Sequence, residues 1–205
     1  MHHSRSSTSL PPVLRTFIAV ELDEAVRKAL AATQDELRAV VPRRSVRWVR
    51  PQGIHLTLKF LGDTPAGRLE ELKQALVAAA SEVAPCSFTV EGLGCFPKPQ
   101  RPRVIWVGVK EPTGTLRALW RAVEAHVAPL GWPTEERGFQ PHLTLGRVQR
   151  RASPAERRAI GEVVQRSDVG RLASMAVRAV SFIRSELRPT GAVYTTLVEA
   201  RLGGS

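Results

Sequence analysis

The tetrad His-Leu-Thr-Leu occurs twice in this chain, at His55–Leu58 and at His142–Leu145, with the two copies starting 87 residues apart. Each copy alternates polar and apolar residues, the pattern of a strand with one buried face. Side chains at i and i+2 of a strand share a face. His55 and Thr57 therefore point one way while Leu56 and Leu58 enter a core, and His142 with Thr144 repeats the arrangement. A chain carrying this pair needs two similar strands, each with its apolar face covered and its polar face left open. The chain has five histidines, and two of them, His2 and His3, stand in a polar N-terminal lead. An isolated His-x-Thr in a chain of this size would carry little information. A repeated one in similar surroundings points to a paired general acid and base, because imidazole titrates near neutrality.

The rest of the chain reads as α+β. Strands are expected over 16–21, 46–49, 54–61, 87–91, 103–109, the second tetrad, about 174–187 and 193–201. Asp23 caps a helix that Pro42 ends. Further helices are expected over 69–83 and 116–130, and after Ser153-Pro154, an N-cap followed by proline at the first helical position. Residues 92–102, rich in Gly and Pro, read as a loop. The order of elements predicts a largely antiparallel α+β protein. The duplicated tetrad predicts two related lobes with their His-bearing faces opposed, in one domain over 13–205 behind a disordered tail, 1–12.

Composition narrows the partners. A formal net charge of +11 suits a polyanion such as RNA, although arginine is abundant throughout. Arg43-Arg44, Arg150-Arg151 and Arg157-Arg158 read as solvated faces or as RNA contacts. No apolar run is long enough to span a membrane, and the N-terminus lacks the apolar stretch of a signal peptide. With two cysteines, Cys86 and Cys95, and no disulfide framework, a reducing cytoplasm is the expected compartment. The expectation is a monomer with no obligatory protein partner and no membrane contact.

The tetrads and their surroundings resemble the 2H phosphoesterase superfamily, and within it the RNA 2',3'-cyclic phosphodiesterases, also called 2'-5' RNA ligases. The resemblance rests on Arg15-Thr16-Phe17-Ile18-Ala19-Val20, on His55 to Gly62 with its Phe-Leu-Gly ending, on Pro102 to Val109, and on Pro141 to Arg147. It covers about residues 13–201. It implies a bilobal, pseudo-two-fold fold, with two antiparallel sheets facing a central cleft and helices outside. It also implies hydrolysis of an RNA 2',3'-cyclic phosphate to a 2'-phosphomonoester, with possible reverse 2'-5' ligation.

The catalytic residues expected are His55, Thr57, His142 and Thr144. In-line displacement at phosphorus places base and acid on opposite sides, and the oxygens that gain charge need donors. His142 is assigned to the water and His55 to the leaving O3'. Arg147 is the expected phosphate ligand, although strict alternation turns it away from the cleft. A bulge at Gly146 would re-aim it. Lys59, in phase with His55 and Thr57, is a second expected phosphate contact. Phe96, in the 92–102 loop, is expected to stack a base. Trp48 and Trp106 read as core. No metal or other cofactor is required by these residues. The alternatives are a metal hydrolase, action on another cyclic phosphate such as a cyclic nucleotide or ADP-ribose cyclic phosphate, and a non-catalytic RNA-binding module.

Overall fold

A computed structural model of the chain describes residues 12–136, 138–189 and 191–203. The expected disordered tail lies almost wholly outside them. Nine strands and four α-helices follow the order β1 (Val13–Glu21), α1 (Glu24–Val40), β2 (Val46–Trp48), β3 (His55–Pro65), α2 (Leu69–Ser81), β4 (Cys86–Phe96), β5 (Val104–Lys110), α3 (Thr115–Val127), β6 (His142–Val148), α4 (Pro154–Arg166), β7 (Arg171–Val177), β8 (Ala179–Arg188) and β9 (Gly191–Arg201). Helices α1 and α4 start where the capping chemistry places them. The Asp23 carboxylate accepts the Val26 N–H at 2.8 Å, and Ser153 with Glu156 closes a reciprocal capping box.

The strands form two antiparallel sheets, β3-β1-β8-β9 and β2-β6-β5-β4-β7. β3 pairs antiparallel with β1 and β6 with β5, each partner preceding it in the chain with a helix between, so the two His strands are topologically equivalent. The difference is β2, which covers the outer side of β6 and has no counterpart beside β3. Helices α2 and α3 pack on each other and back the first sheet, while α1 and α4 contact strands of the second. One continuous apolar core lies between sheets and helices. β1 is buried on both faces from Thr16 to Val20. Ile18 and Val20 join the main core, whereas Phe17 and Ala19 form a second small cluster with Ile183 and Tyr194.

Three expectations are corrected by this architecture. The run expected as one strand over 174–187 is two, and they belong to different sheets. The ladder breaks at Arg178, whose carbonyl instead accepts the Leu202 N–H at 2.9 Å. The expected loop over 92–102 is a strand as far as Phe96, because Gly92 adopts a φ of +71° and takes up an extra residue as a bulge. Trp106 is not simply a core residue, since its ring shares the His142 side of β5. Both cysteines are free thiols, and burial pushes Cys86 up to about 11, which makes it unreactive. No described helix is long and apolar enough to cross a membrane.

Candidate active site

Each His stands at the first position of its strand. Pairing is the same in both copies: Thr57 opposes Ala19 and Thr144 opposes Trp106, while His55 opposes Glu21 and His142 opposes Gly108. The next residue of each tetrad then drops out of register. Leu58 has no partner between the Thr57 and Lys59 pairs, and Leu145 has none between those of Thr144 and Gly146. Twin β-bulges thus lie at the same place in the two repeats.

A bulge inverts the parity of everything after it. In the second copy this turns Gly146 inward and Arg147 outward, onto the face of His142 and Thr144. Arg147 is exposed there, and its charge bears on His55, His142 and Tyr194 alike. The bulge was expected at Gly146 and is found one residue earlier, with the same result for Arg147. Gly146 has a different reason for being glycine. A Cβ there would come within 2.6 Å of a Val46 methyl, because β2 lies directly against it.

The same inversion corrects Lys59. It is not in phase with His55 but on the helix side, 7% exposed, donating to Glu124 of α3 at 2.7 Å and to the Pro133 carbonyl at 2.5 Å. It cannot meet a phosphate in the cleft without breaking that pair. In its place the cleft receives Phe60, 62% exposed and tilted against Phe17. Phe60 is to the first tetrad what Arg147 is to the second. Aligning the two copies on their His residues would have found it.

A buried glutamine holds the second bulge. Gln34 of α1, 2% exposed, donates its amide to the Leu145 and Val49 carbonyls, both at 2.8 Å. Leu145 is the bulged residue, and the Val49 N–H also bonds its carbonyl. Gln34→Leu keeps the volume but strips these carbonyls of the amide, at a cost of about 1–3 kcal/mol. A matching fall in melting temperature, with a lower kcat at saturating substrate, is the expected result. Unchanged stability would mean that the bulge does not depend on Gln34.

Both imidazoles are oriented alike. His55 Nδ1 lies 3.0 Å from the Gly53 carbonyl, and His142 Nδ1 lies 2.8 Å from that of Gln140. A carbonyl only accepts, so each Nδ1 carries the proton and each Nε2 is left for chemistry. Phe17 stacks on His55 at 4.5 Å, and Tyr194 meets it edge-on at 5.3 Å. Phe96 meets His142 edge-on at 4.9 Å, with Trp106 behind it. Phe96 is therefore not a loop residue but the end of β4, half-buried against the second His. This burial is the main cause of low basicity. It brings His55 down to about 4 and also lowers His142, and the Arg147 charge lowers both further. The carbonyl bonds oppose the shift. The Glu21 charge opposes it for His55 alone, and the Glu21 carboxylate is held by the Thr196 hydroxyl at 2.8 Å.

Thr57 and Thr144 are half-buried, and neither hydroxyl is engaged by another described residue. Among the described residues, no three His, Cys, Asp or Glu side chains are grouped as a metal site. Tyr194, Glu21 and Trp106 were not anticipated as neighbours of the imidazoles. They come from other strands, and nothing local in the sequence marks them. What stands in the cleft is a set of two neutral imidazoles on equivalent strands with free Nε2 atoms, two hydroxyl donors and a guanidinium: the equipment for proton transfer on both sides of an anionic centre.

Comparison with known proteins matches both halves of the chain to one family. The family model described as LigT like phosphoesterase matches the chain twice, over residues 20–106 and 107–194, one match for each tetrad. A Methanothermobacter thermautotrophicus protein named RNA 2',3'-cyclic phosphodiesterase is 35% identical over 189 residues, spanning 92% of this chain and 99% of its own. One of the same name from Archaeoglobus fulgidus is 34% identical over 90% of this chain and 98% of its own. A crystal structure from Thermus thermophilus aligns with a TM-score of 0.76 at 33% identity, covering 94% of this chain and all of that one. Escherichia coli LigT complexed with 3'-AMP shares the fold at 22% identity, with a TM-score of 0.72 over 93% of this chain and 99% of that one.

Proposed function

Since the chain belongs to the LigT-like phosphoesterase family, we propose that it hydrolyses RNA 2',3'-cyclic phosphate ends to 2'-phosphomonoesters by paired-His general acid–base catalysis. The observation that carries this reading is the twin Nδ1-to-carbonyl bonding, which leaves both Nε2 atoms available with Arg147 bearing on both rings. His142 Nε2 takes a proton from water as the water oxygen bonds phosphorus. The P–O3' bond breaks on the opposite side, and His55 Nε2 delivers its proton to O3'. The product is a 2'-phosphate beside a free 3'-hydroxyl, and the two imidazoles have exchanged protonation states. Thr57, Thr144 and Arg147 donate to the nonbridging oxygens as charge gathers there. Glu21 beside His55, where the second site has Gly108, offsets part of the burial that lowers His55 without outweighing it, so the acid assignment rests on the 2'-phosphate product. Phe96 and Phe60 flank the site and offer π faces to a nucleobase. With the 5'-hydroxyl of a second strand in place of water, His142 takes its proton as O5' bonds phosphorus, the P–O3' bond breaks with protonation of O3' by His55, and the ends are joined through a 2'-5' bond.

The test is digestion of an oligonucleotide 2',3'-cyclic phosphate in the presence of a chelator, beside 3',5'-cyclic nucleotides and ADP-ribose cyclic phosphate. Phosphorus NMR resolves the monoesters. A 2'-phosphate from the RNA end, at a kcat/KM well above the other substrates, is expected. Faster turnover of another cyclic phosphate overturns the substrate reading, and a 3'-phosphate product overturns the roles given to His55 and His142. Activity lost in chelator and restored by a divalent ion favours a metal mechanism.

The pH dependence has a determined sign. The free cleft holds both imidazoles neutral, but the reaction needs one protonated. The acid is lost as pH rises through a lowered pKa, so kcat/KM, which reports the free enzyme, should peak on the acid side of about 6.5, the ordinary value for His. A bound anionic phosphate favours the imidazolium, so the kcat profile should lie at higher pH. Initial rates from about pH 4 to 9 check this, and coincident profiles for kcat and kcat/KM contradict it.

A further inference from the structure

Next to the catalytic cleft lies a cavity of 1180 Å³, walled largely by arginine. Its lining includes Arg47, Arg101, Arg103, Arg147, Arg150 and Arg151, all exposed. None of the six has a carboxylate within ion-pair distance among the described residues. Cations gathered at this density repel one another, so the cavity is a site of strong positive potential that an anion would relieve. It is also built rather than incidental. The half-buried Arg157 of α4 donates to the Gln149, Arg150 and Ala152 carbonyls, and to that of Pro102 across the gap, at 2.9–3.2 Å. One guanidinium thus ties the strap that carries Arg150 and Arg151 to the loop that carries Arg101 and Arg103.

The position of Arg147 sets what the cavity can hold. It belongs both to the cavity wall and to the field around the two imidazoles. Arg47 sits directly opposite it in the β2–β6 ladder. The cavity is therefore continuous with the place of the scissile phosphate. A cyclic phosphate occupies the 3' end of its strand, so every other phosphate of that molecule lies on the 5' side. On the reading that the cleft acts on RNA 2',3'-cyclic phosphate ends, we propose that this arginine cavity binds the backbone phosphates of the nucleotides immediately 5' of the reacting one. The enzyme then selects RNA ends over cyclic mononucleotides by charge, independently of base sequence. Arg101, Arg150 and Arg151 hold the upstream phosphates, and Arg147 stays with the reacting one.

The test is the Arg101→Ala/Arg150→Ala/Arg151→Ala variant, compared with the unaltered protein on a 2',3'-cyclic mononucleotide and on a short oligonucleotide with the same 3' end. The proposal expects the variant to keep mononucleotide kcat/KM within about twofold and to lose about tenfold or more on the oligonucleotide, through KM. Binding of a labelled oligonucleotide 3'-phosphate, read by anisotropy across salt concentrations, provides an arm that needs no turnover. Each phosphate contact to a single strand contributes a slope of about −0.7 in log K against log salt, so losing three should flatten the slope by about 2. Equal losses on both substrates, or an unchanged salt slope, overturn the cavity assignment. Salt-dependent oligonucleotide binding that the variant loses, with no turnover of either substrate, keeps the cavity and overturns the proposed reaction instead.

Discussion

His55→Ala and His142→Ala should each lower kcat on an RNA 2',3'-cyclic phosphate by about 10²–10⁴-fold, the usual contribution of a positioned general acid or base. Both side chains are partly buried at the ends of strands, and each gives one Nδ1–H bond to a local carbonyl. Their removal should therefore leave the fold intact, and near-native melting is the control. The double variant should be scarcely slower than the slower single one, because the acid and base act on a single displacement. Either folded single variant within about tenfold of the unaltered rate would rule out the paired mechanism. His55→Ala also uncovers the Phe17 ring stacked on it. A loss confined to kcat marks the proton role, whereas a rise in KM alone would mark a packing role.

Lys59→Met should be the most destabilising change near the first tetrad while leaving the chemistry in place. It removes one member of a buried ion pair and strands Glu124, 3% exposed, without its countercharge. Breaking such a pair from one side costs about 3–5 kcal/mol. For a chain of this size that is a fall of roughly 6–20 °C in melting temperature. Lys59→Met with Glu124→Leu should recover most of the loss, since the double replacement leaves no buried charge. Activity per folded molecule should stay near that of the unaltered protein. A variant of normal stability with a raised KM would instead return Lys59 to the cleft as a phosphate contact. The pair links β3 to α3 and, through the Pro133 carbonyl and the Glu135 N–H on Glu124, to the segment that leads into the second tetrad.

Lys59 also marks the point where reading the chain alone stops. The helices were legible because their signals are local: Asp23 and Ser153 cap the residues that follow them, and an apolar stripe such as Leu119, Val123 and Val127 recurs at helical spacing. The paired His-x-Thr faces were legible for the same reason, since alternation over four residues needs no knowledge of the partner strand. The bulges after Thr57 and Thr144 are another matter. Whether a strand takes an extra residue depends on the ladder it joins and on what supports its carbonyls, and here Gln34 reaches Leu145 from 111 positions earlier. One inserted residue exchanges the faces of all that follow. Thus Lys59 went to the helices, Phe60 came to the cleft, and Arg147 turned toward both imidazoles. The parting of β7 from β8 into separate sheets follows the same logic, because nothing within 174–187 states which strand each half will pair with. The chemistry of this protein was written locally, in two tetrads. The electrostatics around it was decided in three dimensions, since the low basicity of the imidazoles comes from rings on other strands and the arginine cavity from segments that meet only when the second sheet forms.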